Sequence, residues 1–192
     1  MNLRIVRLAH WLIRLRWFAI IGIYIAYYIA KHFLQITIQD LPVYTIIGFL
    51  ILLNVLSISF LKYLQKSGVR KSSKDIKRII NFQISTDLIV LTVLLHYTGG
   101  VENPFIIYYI FHMIIGSIML STKESFLQTS FALFLLGSMT YLEYLGVVQH
   151  YPLTGFITTN MYTNFTYLAC TGIIFISTSY FVVYITRTII KQ

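Results

Sequence analysis

The chain consists largely of long apolar runs, and several reach the roughly 20 residues that a helix needs to cross a bilayer. Charged residues account for only 11% of the 192 residues, whereas a soluble domain carries about a quarter. Hydropathy and helix breakers predict six spans, at residues 17–38, 42–64, 79–97, 105–121, 126–148 and 160–186. We therefore expect an all-α integral membrane protein that forms one six-helix transmembrane bundle.

The basic residues predict the orientation of this bundle. Six spans place both termini on one side, and all but Lys31 of the fifteen Lys and Arg residues fall on that side. Because cytoplasmic loops are enriched in Lys and Arg, we expect cytoplasmic N- and C-termini and an outward-facing loop at residues 99–105. The net charge of +9 is then a topology signal that also favours anionic membrane lipid. No nucleic-acid-binding motif accompanies it, so we expect no nucleic-acid partner.

Residues 1–16 form a basic cytoplasmic segment before the first span. Arg4, Arg7, His10 and Arg14 recur at helical spacing, which is typical of an interfacial amphipathic helix. A basic flank that only orients the chain explains the same pattern. Cys170 stands alone in the sixth predicted span, which excludes an intrachain disulfide and favours a buried apolar role.

The loop between the third and fourth spans, residues 99–105, is chemically distinctive. Gly99 and Gly100 adopt positive φ cheaply, so they can end a helix. Asn103 is a favoured N-cap, and Pro104 suits the first helical position. A capping turn therefore explains the spacing, but the following helix also presents free backbone N–H groups to which a ligand carbonyl could bind.

Aromatic and polar side chains surround this loop. Tyr97 and His96 approach from the third span, and the fourth continues with Phe105, Tyr108, Tyr109 and His112. Flat aromatic walls with a few polar tips suit a quinone headgroup, although an interfacial aromatic belt has the same composition.

Two acidic residues within the spans complete the candidate site. Asp87 lies at a depth comparable with that of His112, so the two side chains could pair across the hairpin. Glu143 either extends to the membrane surface or lines the pocket. We find no metal-ligand spacing and no catalytic constellation, so no catalytic or metal-binding residue is predicted.

Several strings resemble the membrane sensor region of the RegB/PrrB-type redox-responsive histidine kinases. They are Arg-Trp-Phe-Ala at 16–19, Asp-Leu-Ile-Val-Leu-Thr at 87–92, Thr-Gly-Gly-Val-Glu-Asn-Pro-Phe at 98–105, and Phe-His at 111–112. In that family the Gly-Gly-x-x-Asn-Pro-Phe motif contributes to a ubiquinone site whose occupancy or redox state adjusts kinase activity. The resemblance assigns quinone binding to Gly99, Gly100, Asn103, Pro104 and Phe105; Val101 and Glu102 occupy the variable places.

The resemblance implies a sensor domain at 17–186 in the bacterial inner membrane, with a ubiquinone or menaquinone as the sensed ligand. It also implies a homodimer, with residues 187–192 beginning a signalling helix toward a kinase domain. No phosphoacceptor segment or ATP-binding box occurs in the 192 residues, so a response regulator would be reached only through a kinase module absent here. Tyr108 and His112 join the expected quinone site, with a supporting shell of Asp87, His96, Tyr97, Glu102 and Glu143.

Two other interpretations fit the same pattern. Six spans in about 190 residues also suit the substrate-binding membrane subunit of a vitamin importer, which would need a polar pocket and a surface for its transport partner. A structural membrane protein whose loop is only a turn is the third.

Overall fold

The computed structural model describes residues 3–66, 73–156 and 160–191, and all elements within them are helices. The α-helices are α1 (Leu3–His32), α2 (Asp40–Lys66), α3 (Ser73–Tyr97), α4 (Tyr108–Met119), α5 (Thr122–Tyr144) and α6 (Phe165–Lys191). Short 3-10 turns occupy Gly100–Glu102, Pro104–Ile107 and Met161–Thr163. Five of the α-helices are long and apolar enough to cross a membrane. The helical segment Pro104–Met119, which corresponds to the fourth expected span, is apolar but shorter than these five.

Helix ends differ from the hydropathy-based bounds where the backbone enters the left-handed region. The first predicted span continues to residue 38, but α1 ends at His32 and Gln35 has φ +53°. The fifth continues to residue 148, but α5 ends at Tyr144 and Gly146 has φ +69°. An apolar run extends past a helix end because hydropathy does not depend on backbone conformation.

The chain forms two compact units, residues 1–80 and 81–192, with the boundary inside α3. In the first unit α1 packs against α2 through paired polar groups. Arg16 is buried, and its guanidinium donates to Asn54 Oδ1 at 3.4 Å and Ser57 Oγ at 3.3 Å. Near the other end of the pair, Lys31 forms an ion pair with Asp40. Polar side chains within an apolar helix pair are thereby satisfied by one another.

In the second unit the segment that contains α4 is hydrogen-bonded at both ends to the segment that contains α6. At one end, Arg187 of α6 donates to the carbonyl oxygens of Ser117 and Leu120, both at 2.8 Å. At the other, Glu102 Oε1 accepts from the backbone N–H of Tyr162, just before α6, at 2.9 Å. The segment from Glu102 to Leu120 therefore extends along nearly the whole length of α6.

Large apolar side chains are exposed along these helices, among them Phe18, Phe82, Phe134 and Phe181. Cys170, which we expected to be buried, is also exposed. An apolar helix surface of this extent is stable against lipid and unfavourable in water. The exposed surface and the five long helices indicate a membrane protein, and a lipid-facing position explains how Cys170 is exposed on an apolar helix.

Candidate functional site

The Gly99–Phe105 loop is a double 3-10 turn that connects α3 to α4. Gly99 has φ +107° and Gly100 has φ +54°, both in the left-handed region that disfavours side chains. A Cβ atom at Gly99 would lie 2.7 Å from Leu153 Cγ, and one at Gly100 would lie closer than 3.0 Å to Glu143 Oε2. The Gly-Gly pair therefore ends α3 and also lets the backbone approach a buried carboxylate.

Asn103 joins the two helices through its side chain. Its Oδ1 accepts from the Phe105 N–H at 2.8 Å, which confirms the predicted N-cap, and Pro104 begins the following turn. Its Nδ2 donates to the Thr98 carbonyl oxygen at 2.6 Å and to Thr98 Oγ1 at 2.8 Å. Both amide hydrogens of Asn103 are thus engaged at the end of α3, and a ligand carbonyl would have to displace Thr98 to bind them.

Three aromatic side chains follow the loop along one exposed stripe of the chain. The ring centroids of Phe105 and Tyr108 are 5.4 Å apart, and those of Tyr108 and Phe111 are 5.6 Å apart. All three residues are exposed. Tyr109, by contrast, is fully buried and its hydroxyl lies 2.5 Å from Thr92 Oγ1. The stripe offers apolar ring faces at the surface next to the loop.

His112 has a hydrogen-bond partner within its own helix. Its Nδ1 lies 2.9 Å from the carbonyl oxygen of Tyr108, one turn earlier. This contact engages one of the two ring nitrogens, and the expected pairing of His112 with Asp87 stays a prediction.

A chain of four ionisable side chains lies directly behind the glycine pair. His96 Nδ1 is 2.7 Å from Glu143 Oε1, and His150 Nδ1 is 2.7 Å from Glu143 Oε2. The other ring nitrogen of His150, Nε2, is 3.3 Å from Glu102 Oε2. The side chains of Glu143, Glu102 and His150 are 0%, 3% and 3% exposed, and that of His96 is 16% exposed. We call these four residues the carboxylate–imidazole chain.

The protonation of His150 is linked to its two hydrogen-bond partners. Carboxylates only accept, so two ionised glutamates facing both nitrogens of His150 require the doubly protonated imidazolium. Burial lowers the pKa of His150, but the hydrogen bond and charge of Glu143, with a contribution from Glu102, outweigh burial and raise it. His150 also stacks on Tyr162, with ring centroids 3.8 Å apart. The geometry and the raised pKa both favour a positive His150 between two carboxylates.

Two apolar cavities adjoin this region. A groove of about 230 Å³ between α3 and α5 is lined by Val93, His96, Leu135, Met139, Leu142 and Val148, with Thr92 and Ser138 at its wall. A second cavity of about 310 Å³ lies between α5 and α6, below Val101 and beside Tyr144 and Phe165. Of the two, only the groove is lined by a member of the carboxylate–imidazole chain. His96 Nε2 carries no hydrogen bond among the described residues.

The structure brings together Gly100, His96, Glu102 and Glu143 from the predicted set, and Tyr97 contacts the ring of His96. Glu143 is buried and does not extend to the membrane surface, and it is not among the residues that line the two cavities described above. His150, Tyr151 and Tyr162 were not predicted, although Tyr151 packs edge-on against His96. They lie in a connection without a motif. No group of three or more His, Cys, Asp or Glu residues in the described ranges is arranged to hold a metal ion.

Comparisons of this chain with protein-family models, with curated proteins and with solved structures found no match. The functional interpretation therefore depends on the residues and contacts described above.

Proposed function

We propose that this chain is the membrane-embedded sensing domain of a two-component histidine kinase, and that it binds a quinone beside the Gly99–Phe105 loop. The headgroup would occupy the groove between α3 and α5, with His96 contacting one quinone oxygen. Phe105 and Tyr108 would flank the entrance of the ligand from the lipid. A kinase module, on the same polypeptide or on a partner, would carry out the phosphotransfer.

The observation that carries this proposal is the state of His96. Its Nδ1 is engaged by the buried carboxylate of Glu143, its ring lines an almost wholly apolar groove, and its Nε2 has no hydrogen bond among the described residues. Ligand sites are mostly apolar cavities with a few polar groups that orient the ligand. One imidazole in an apolar groove that faces lipid suits a small, apolar ring with an oxygen at its edge.

Two further observations support the expected topology of six spans with cytoplasmic termini. The segment from Glu102 to Leu120 contacts both ends of α6, so α4 traverses the same layer as a helix long enough to cross a membrane. All but one of the basic residues then fall on the side of the termini, as expected for a protein of the plasma membrane.

The last helix is the route that we propose for the signal. α6 begins beside Glu102 and Tyr162 and continues to Lys191 without a break. A ligand that binds two arrangements of α3 and α5 with different affinities would shift the population of one against the other. We expect the shift to reach a homodimeric kinase through α6.

The test is the quinone content of the purified protein. We would extract the parent chain from mild detergent with organic solvent and quantify quinone, alongside His96→Leu and Asn103→Ala. The groove model expects near-stoichiometric quinone in the parent and a clear loss in His96→Leu. Asn103→Ala removes a helix cap, so it should lower thermal stability more than quinone content.

The control is Leu127→Ala, an exposed residue on α5 that lines neither cavity. It should retain the parent's quinone. Absence of quinone from the parent, even after incubation with added quinone, would refute the proposal. Equal retention by His96→Leu and the control would refute the groove as the site.

A further inference from the structure

The carboxylate–imidazole chain has a property that quinone binding alone does not require: its members share hydrogen bonds from the groove to the loop. The order is His96, Glu143, His150 and Glu102, with contacts of 2.7, 2.7 and 3.3 Å. The far oxygen of Glu102 accepts from the Tyr162 N–H. A proton added to any of the four side chains changes whether its neighbours must donate or accept in the hydrogen bonds that they share.

We infer that the carboxylate–imidazole chain links the redox form of the bound quinone to protonation. The oxidised form would bind with uptake of one proton, and the reduced form would bind without it. The inference rests on the proposed quinone site and specifies how that site distinguishes the two forms. It involves no covalent or redox step at the protein.

The proton count follows from His96 and Glu143. With Glu143 ionised, Nδ1 of His96 carries the hydrogen of their shared bond, and the Nε2 of a neutral ring is an acceptor. A hydroquinone O–H can donate to that nitrogen directly. A quinone carbonyl only accepts, so the His96–Glu143 pair must hold one more proton before Nε2–H can donate to it.

The neighbouring groups determine where this proton is held. Glu143 faces His96 from α5, and Tyr151 faces it from the following connection. His150 and Glu102 lie one and two hydrogen bonds further along the chain, and Tyr162 covers His150. Of the groups on its own helix, Tyr97 contacts the ring of His96. Glu143 lies 2.7 Å from His96, so its negative charge can stabilise the additional proton that is taken up when the oxidised form binds.

The experiment measures the affinity of the detergent-solubilised chain for a short-tailed benzoquinone and, anaerobically, for its hydroquinone, from about pH 5 to pH 8. Linkage of one proton makes quinone binding weaken by about tenfold for each pH unit above the pKa of the site. Hydroquinone binding should show no such weakening.

Two variants and one control test whether the carboxylate–imidazole chain is the origin of the pH dependence of quinone affinity. His96→Gln keeps an amide that can donate or accept but does not titrate, so quinone should bind without the slope. Glu143→Gln should shift its midpoint, and each variant's thermal unfolding would verify that it is folded. His32→Gln is the matched control, since His32 belongs to the other compact unit, and its slope should equal that of the parent.

The outcomes separate this inference from the proposed function. Quinone binding that is independent of pH in the parent overturns the proton linkage and leaves the quinone site intact. A slope that persists in His96→Gln also overturns it. Absence of binding of either form at every pH overturns both proposals.

Discussion

Gly100→Ala is the substitution whose effect can be worked out most directly from the structure. Gly100 has φ +54°, and an alanine there would hold an L-residue in the left-handed region at a cost of about 1–2 kcal/mol. Its Cβ would also overlap Glu143 Oε2, which is fully buried and cannot retreat into solvent. Overpacking a close-packed site costs about 1–3 kcal/mol more. We expect a total loss of about 2–5 kcal/mol.

Gly146→Ala is a control that separates the steric overlap with Glu143 from the cost of a positive φ angle. Gly146 also has positive φ, +69°, but a Cβ there meets no atom within 4 Å. It should therefore lose only the backbone contribution of about 1–2 kcal/mol. For a chain of this size the difference corresponds to a melting temperature about 2–12 °C lower for Gly100→Ala.

The assay is thermal unfolding in detergent, followed by intrinsic fluorescence, for both glycine variants and for the double variant Gly100→Ala/Glu143→Ala. Removal of the Glu143 carboxylate removes the overlap, so the two substitutions should be non-additive by about 1–3 kcal/mol. Equal melting temperatures for Gly100→Ala and Gly146→Ala would refute the reasoning. So would strict additivity in the double variant, because the loss would then not arise from the contact with Glu143.

Two further predictions concern the charged groups of the second unit. The raised pKa of His150 means that the folded state binds its proton more tightly than the unfolded chain, so its contribution to stability is complete below about pH 6.5 and is lost as pH rises through the folded pKa. Melting temperature against pH should decline through that range in the parent and flatten in His150→Asn; parallel curves would count against the imidazolium. Arg187→Lys keeps the positive charge but removes the guanidinium group that donates to two backbone carbonyl oxygens and to Thr122 Oγ1. Backbone hydrogen exchange should therefore accelerate at residues 117–122. Thr188→Ala, at an exposed neighbouring position, should leave that exchange unchanged.

The sequence predicted those features of the fold that are determined by residues close to one another along the chain. Five of the six apolar runs correspond to helices long enough to cross a membrane, because hydropathy over about 20 residues is a property of each segment alone. Asn103 and Pro104 were predicted as a helix start because capping involves only the next few residues. The helix ends near Gln35 and Gly146 were misplaced, since hydropathy contains no information on backbone dihedral angles.

The candidate site is formed by residues that are far apart in the sequence, so no local sequence pattern predicts their contacts. Glu102 and His150 are 48 residues apart, and Glu102 and Tyr162 are 60 residues apart. Gly100 could be predicted as a residue that ends a helix, but its contact with Glu143 becomes apparent only when α5 is placed beside the loop. Capping residues predicted the loop as a structured turn, while His150 had no signal in sequence that distinguished it from any other loop histidine.

The attachment of the α4 segment to the α6 segment at both ends restricts how these two helices can move relative to each other. A piston-like slide of α6 along α4 would have to rearrange the hydrogen bonds of 2.8–2.9 Å at Arg187 and at Glu102 together. The two helices are therefore expected to move as one rigid frame, by tilting or rotating. Displacement of the loop at one edge of that frame would then become a lever-like swing of the opposite edge, where Arg187 precedes the end of α6.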